Sequence, residues 1–418
     1  WVGAVSGNVY FLSKKDNYKP KLEFSLPSSV SYILMDTKHG LWISTLSDGV
    51  YYCPNIKVKT QKTLTYNSKL YEQTTRLGIL DSTLFVVHNF GLLQTITNNK
   101  MQLFKANSVI AENPSILSMI LRPDKSMFGI NGLGYNVLGK NKLIYQRFSN
   151  YIFGTILSFY EDKQNETLII GTNREFIKVK NDSCYFKSLD IGFSGRITAL
   201  YQEDSSLWIG TLSGLFCYKN DKIIDYSKKN GIYSGKIKFI KPYNQSLLIS
   251  IDGKGLLLKE GNKLKTITVK DGLLSNTISG IYITNDTIWA ATGKGVNKIV
   301  EKEGRYNITA SYTIEDGLPT NAINDVILYK DSIWLATEKG LTKFKPSDIP
   351  TYDTIPLFIN QIKINEVNVK LADNYALDHA QNSIYIDFFG LSYSETEQIT
   401  YHYQLAGVDK AVVETNQC

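Results

Sequence analysis

Five side chains in this 418-residue chain carry the chemistry of hydroxyl recognition: Asn89, Asn131, Tyr135, Arg174 and Asp252. Amides and a carboxylate can hydrogen-bond hydroxyls. A guanidinium grips a carboxylate or sulfate through parallel bonds, and a phenol ring offers a face for stacking. What unites them is position. Each falls in or beside the short polar break that follows a run of large apolar residues. The breaks read His88-Asn89-Phe90, Asn131-Gly132-Leu133-Gly134-Tyr135, Asn173-Arg174-Glu175-Phe176 and Asp252-Gly253-Lys254. Three more, Leu212-Ser213, Gly293-Lys294 and Glu338-Lys339, differ from these and from one another, although the runs before them repeat. Variable polar groups on a repeated frame are where binding residues usually sit. Taken singly, each also suits an ordinary hydrophilic turn. The expectation of binding attaches to the face they share.

No recognisable catalytic motif is found, although a propeller cleft can bring any two Asp or Glu together as a glycosidase pair. His39, His88, His379 and His402 are scattered without metal-ligand spacing. Asp252-Gly253-Lys254-Gly255 and Thr292-Gly293-Lys294-Gly295 look like fragments of a phosphate loop but lack its full spacing and following helix. No Gly-x-Ser-x-Gly elbow occurs. The expectation is therefore no catalytic residue, no metal and no cofactor. The formal charge is +7, but Lys and Arg alternate with Asp and Glu and form no block of five, so nucleic acid is not an expected partner. Four cysteines, Cys53, Cys184, Cys217 and Cys418, have no paired spacing and read as small apolar residues of strands. No apolar run is long enough to cross a membrane. The chain opens without Met inside a repeat and stops at Cys418, which reads as a piece of a longer protein. Membrane attachment would then come only through missing segments.

The elements that position the five residues follow from a repeat. Leu207-Trp208-Ile209-Gly210-Thr211 with Gly214-Leu215 returns around Trp42, Trp289 and Trp334, and in weaker form around Phe85, Phe128, Ile169 and Leu248. Trp1 opens a ninth copy. Successive steps from position 1 through 42, 85, 128, 169, 208, 248, 289 and 334 are 41, 43, 43, 41, 39, 40, 41 and 45 residues. A steady period of that length marks a repeat architecture. Inside one unit, Ile197–Tyr226 holds four short apolar stretches separated by polar turns such as Asn220-Asp221. That is a hairpin meander. A four-stranded unit at this period is a propeller blade, with the Trp as a flat filler between blades. Trp42, Trp208, Trp289 and Trp334 are thus structural, and the last three are expected to be largely buried.

The fold class predicted is all-β: a β-propeller of four-stranded antiparallel blades, seven of them, followed by a truncated Ig-like sandwich. Leading strands are expected at Thr74–Leu80, Ile116–Leu121, Thr155–Tyr160, Ile197–Tyr201, Ile237–Ile240, Ile278–Ile283 and Ile323–Leu328. The last unit lacks a fourth strand, and an open blade edge is a liability. Val58–Tyr66 is expected to fill it by pairing with Gly340–Lys345. The resulting organisation is 1–56 as the last blades of a preceding propeller or as extra blades, 57–346 as the ring and 347–356 as a Pro-rich linker. Residues 357–418 would be the sandwich, with strands at Leu357–Ile364, Ser383–Phe388 and Ile399–Leu405.

The Leu-Trp-Ile-Gly-Thr…Gly-Leu repeat and the connectors Lys270-Asp271-Gly272-Leu273 and Asp316-Gly317-Leu318-Pro319-Thr320-Asn321 resemble the two-component regulator propeller family. The tail Gln381-Asn382-Ser383-Ile384…Tyr401-His402-Tyr403-Gln404-Leu405-Ala406-Gly407-Val408-Asp409-Lys410 resembles the triple-tyrosine domain that follows it there. Val412 and Val413 stand where that family usually has a Trp. The resemblance implies an extracytoplasmic, periplasmic sensor region, often carbohydrate-responsive, belonging to hybrid two-component regulators and histidine kinases. It implies an oligosaccharide or other small ligand, a homodimer in the full-length receptor, and relay through the sandwich to a membrane helix and kinase outside this chain. The alternative is a secreted carbohydrate-active propeller enzyme, a lyase or glycosidase. A protein-interaction scaffold is the third reading.

Overall fold

The computed structural model describes residues 1–36, 39–109, 111–131, 134–148, 154–349, 357–372, 374–390, 400–407 and 411–415. Seven four-stranded antiparallel sheets follow one another along the chain. Blade 1 comprises Thr74–Leu80, Thr83–His88, Leu92–Thr97 and Lys100–Lys105. Blades 2 to 7 open with Ile116–Ile120, Ile156–Asp162, Ile197–Glu203, Ile237–Tyr243, Ile278–Thr284 and Ile323–Tyr329. The fold is a β-propeller. Blade 7 takes its outer strand from Lys59–Gln61, which pairs with Leu341–Lys343 and closes the ring.

The expected closing strand is shortened. Only three of its residues pair; Leu64–Tyr66 turns away into a hairpin with Lys69–Tyr71. Asn67 and Ser68 both take positive φ, 48° and 62°, the geometry of a two-residue hairpin turn. Leu64 and Tyr71 are buried against Leu92.

The repeat's residue types have separate physical tasks. The motif threonine is buried and caps the turn after it. Thr211 Oγ1 donates to the Gly214 carbonyl at 2.9 Å and accepts from Ser213 N at 3.1 Å. Thr172, Thr292 and Thr337 repeat this in blades 3, 6 and 7. Glycine follows because the chain needs positive φ against a neighbouring strand. At Gly340 (φ 111°) a Cβ would sit 2.2 Å from the Gln61 carbonyl oxygen. The connectors are short 3-10 turns closed by capping boxes, Thr268 with Asp271 and Thr313 with Asp316. Asn276 and Asn321 accept from Val269 N and Ile314 N at 2.9 and 2.8 Å, and Leu273 and Leu318 are buried beneath.

Each leading strand carries a bulge after its first residue. A bulge re-aims side chains, and a polar latch crosses every seam from the innermost strands. Arg76 Nε donates to Leu117 O at 2.8 Å, and Ser118 and Ser158 donate to Ile156 O and Ile197 O, both at 3.2 Å. Thr198 donates to Ile237 O, Lys241 Nζ to Ile281 O at 2.8 Å, and Ser279 to Ile323 O. Asn324 Nδ2 reaches Thr74 O at 2.7 Å and completes the circle. Apolar clusters fill the spaces between blades outside these latches, such as Trp208 with Ile237, Ile240 and Ile249.

Residues before the ring form two three-stranded sheets around Val9, Leu41 and Ile43. They meet the ring through Glu23, shared by Lys21 at 2.6 Å and the closing strand's Lys59 at 2.7 Å, and through Lys57–Asp348 at 3.2 Å. Residues 350–418 are a second compact unit. Leu357–Ile364 lies between Val367–Val369 and Ile384–Gly390, and Tyr401–Tyr403 pairs with Val413–Thr415. Tyr401 and Tyr403 meet Phe388 edge-on at 5.3 and 6.5 Å. Most of the proposed linker lies outside the described residues, as do Val408, Asp409, Lys410 and Cys418. Cys53, Cys184 and Cys217 are unbridged. No helix among the described residues is long and apolar enough to cross a membrane.

Candidate functional site

The turns between second and third strands share the face that also carries the connections between blades. Asn89 opens the turn Asn89–Gly91; its N–H donates to Gln73 O at 3.0 Å, and its Oδ1 is buried without a partner among the described residues. Asn131 is exposed, but its Oδ1 accepts from Ser115 N, which fastens the incoming connection. Arg174 is exposed; Thr172 Oγ1 holds its N–H at 3.2 Å, and its guanidinium meets no described acceptor. Asp252 is exposed and borders a cavity of about 40 Å³ with Lys236, Lys238, Ser250 and Thr277. That volume holds about one water, not a sugar ring. These four occupy blades 1, 2, 3 and 5, and no hydrogen bond or ion pair among the described residues joins any two of them.

Tyr135 does not belong to this face. It is 1% exposed, packs on Phe148 at 4.7 Å and donates to Gln146 Oε1 at 3.3 Å. Burial pushes its phenol pKa up. Tyr135 begins the third strand and occupies the position of Leu215, Val296 and Leu341, the inward residue after the motif glycine. The repeat register was the signal that could have placed it.

The Trp positions also divide. Trp208 and Trp289 are buried, each 4% exposed. Trp42 is half-buried, stacked on Tyr52 at 4.2 Å, with its N–H on Asp36 at 2.9 Å. Trp334 is also half-buried, contrary to expectation. Trp208 is covered by Tyr226 at 4.9 Å, whereas the outer strand beside Trp334 is only Lys59–Gln61. The gap is part of a groove of about 340 Å³ between blades 7 and 1. A second groove, of about 670 Å³, lies between blades 2 and 3, where Arg122 pairs with Glu161 at 2.9 Å and Lys125 with Asp182 at 2.8 Å. Both grooves open beside first-to-second and third-to-fourth turns, on the face opposite the residues chosen from sequence.

Sequence reasoning missed a charged group on the innermost strands. Asp325 Oδ2 accepts from Leu77 N at 3.0 Å; Arg76 and Lys241 also lie on leading strands. Burial raises the Asp325 pKa, opposed chiefly by Arg76, and lowers that of Lys241. Lys238 occupies the bulge position filled by Thr75, Thr198, Ser279 and Asn324 in other blades. Burial pushes its ammonium down to about 8, with Arg76 and Lys236 adding and Asp325 and Asp252 opposing. A lysine in that register was the available signal. No cluster of metal-ligating side chains occurs among the described residues.

The fold and its two loop faces define a β-propeller. The sequence matches no protein-family model and no curated protein. Among solved structures, it is similar to the extracellular domain ascribed to the one component system BT4673 of B. thetaiotaomicron. That likeness is 14% identical with a TM-score of 0.56, over 98% of this chain and 61% of that one. The extracellular domain ascribed to the hybrid two component system BT3049 of the same organism is 18% identical, with a TM-score of 0.50, over 100% and 71%. The WD40 β-propeller domain of Doa1 is 13% identical, with a TM-score of 0.52, over 70% and 99%. At such identities the likeness is one of fold. The chain spans about three fifths of the BT4673 domain's length.

Proposed function

We propose that this chain is the extracytoplasmic, ligand-sensing region of a signalling receptor of the two-component class, with an oligosaccharide as its ligand. One observation carries the reading. The likeness to the two Bacteroides extracellular domains runs over 98% and 100% of the chain, whereas that to the Doa1 propeller covers 70%. The likeness thus extends over residues outside a single ring, where the tail resembles a triple-tyrosine domain. In this reading residues 1–56 end a preceding propeller, and the second unit relays binding to a membrane helix and histidine kinase. The receptor works as a periplasmic homodimer, and this region is not an enzyme. Asn89, Asn131, Arg174 and Asp252 present polar groups on one loop face, with Arg174 available for a carboxylate or sulfate. Calorimetric titration of the chain against an oligosaccharide panel tests this. Saturable binding weakened by Arg174→Ala supports it; turnover of a bound oligosaccharide would instead establish the secreted lyase or glycosidase reading.

A further inference from the structure

Among the described residues of the ring, the seam between blades 7 and 1 is where a repeat Trp leaves its indole N–H buried and unpaired. In blade 4, Trp208 Nε1 donates to Glu203 Oε2 at 2.9 Å. Trp334 is the equivalent indole of blade 7, and its Nε1 is buried without an acceptor among the described residues. Five residues before it, where blade 4 has Glu203, stands Tyr329, whose hydroxyl donates to Ser82 O at 2.6 Å. An indole N–H left unpaired away from water is costly. Lys343 Nζ sits 4.9 Å above the same ring and meets no described acceptor. Lysines also cover Trp208 and Trp289, at 4.9 and 5.9 Å, so the lysine alone distinguishes nothing. The unpaired N–H beside an open groove does.

A buried polar relay reaches the groove from the opposite wall. His88 Nε2 and Gln94 Oε1 are 2.9 Å apart, and Gln94 Nε2 donates to Gln61 Oε1 at 3.2 Å. With Gln61 Oε1 engaged as acceptor, its amide N–H groups remain as donors at the groove. Lys330, on the rim, donates to Asn98 Oδ1 at 3.2 Å and has further protons to give. The groove therefore gathers donors from an amide and two ammonium groups around the apolar surface of Trp334 and Met101, with the unpaired indole N–H buried in its wall. What fits is an occupant with an apolar face and an oxyanion.

We infer that this seam groove, of about 340 Å³, is a subsite for a sugar residue bearing a carboxylate or sulfate. The sugar's C–H face lies on Trp334, and its oxyanion meets Lys343 and the indole N–H as Lys343's flexible chain swings off the ring. The inference rests on the saccharide reading above but places the sugar on the opposite face.

The test is the indole region of a ¹⁵N–¹H spectrum of the whole chain, which has five Trp, with Trp334→Phe assigning the relevant peak. The probes are cellobiouronate, glucose 6-sulfate, cellobiose and sodium acetate. The Trp334 peak should move saturably with an acidic sugar and the Trp208 peak should stay. Lys343→Gln, at an exposed position, should weaken that binding about tenfold. Acetate that moves the peak equally would reduce the groove to an anion site and overturn the sugar assignment. Saccharide binding seen by calorimetry but untouched by Lys343→Gln and Trp334→Phe would overturn the seam and leave the saccharide reading standing. No binding of any saccharide would overturn both. Unchanged thermal unfolding of Lys343→Gln separates lost binding from lost folding.

Discussion

Acidification should destabilise the propeller through His88. The residue is 3% exposed, its Nδ1 has no partner among the described residues, and burial pushes its pKa down to about 4 from 6.5, with the Gln94 hydrogen bond opposing. The unfolded chain therefore takes up this proton first. Stability is unaffected above about pH 6.5, and falls as pH drops from there towards 4, where the folded state begins to protonate too. A separation of about 2.5 units at 1.36 kcal/mol each, less the partial protonation at pH 4, amounts to about 3 kcal/mol. Urea unfolding at pH 7.5, 6, 5 and 4, on wild type and His88→Gln, isolates the effect, because carboxylates common to both cancel. Wild type should lose about 3 kcal/mol more than the variant, with equal m-values. Parallel pH profiles would refute the reasoning, since they would mean that His88 protonates freely in the folded ring.

Other substitutions probe the seams. Trp208→Ala should cost about 4 kcal/mol in urea unfolding, and Trp334→Ala roughly half as much, because the latter ring is half-buried and lacks the Glu203-type bond. Lys238, lowered to about 8 by burial, penalises the fold while both states are charged; that penalty is relieved as pH rises from 8 towards 10.5. Relative to Lys238→Met, wild type should gain thermal stability over that window; no relative gain would mean its ammonium is solvated. Thr60 and Thr342 are register partners with hydroxyls 3.0 Å apart and stand 282 positions apart in sequence. The Thr60→Cys/Thr342→Cys pair should oxidise and stabilise by up to about 5 kcal/mol. Failure to cross-link would mean that the ring is open there.

The ring was legible because its repeat carries position-specific physics: a threonine that caps a turn, a glycine at positive φ, an apolar run between blades. The same register contains the error over Tyr135, which stands one residue past Gly134 and so points inward like Leu215. Val58–Tyr66 was apolar-polar throughout, and only the turn residues Asn67 and Ser68 marked where it leaves the sheet. The grooves were not legible, because each is built by two neighbouring blades and depends on what is short or missing at a seam. Gln61 and Trp334 lie 273 positions apart in sequence and meet across one groove only because the ring closes. The charges on the innermost strands converge from blades 1, 5 and 7, and a single-blade comparison does not gather them.

The central claim is saccharide sensing without turnover. Calorimetric titration of the chain against neutral, uronate-bearing and sulfated oligosaccharides, with product analysis of each sample afterwards, tests it most directly. Saturable heat with at least one acidic member, and recovery of the oligosaccharide intact, are expected. No heat across the whole panel, or recovery of shortened or unsaturated fragments, would contradict it.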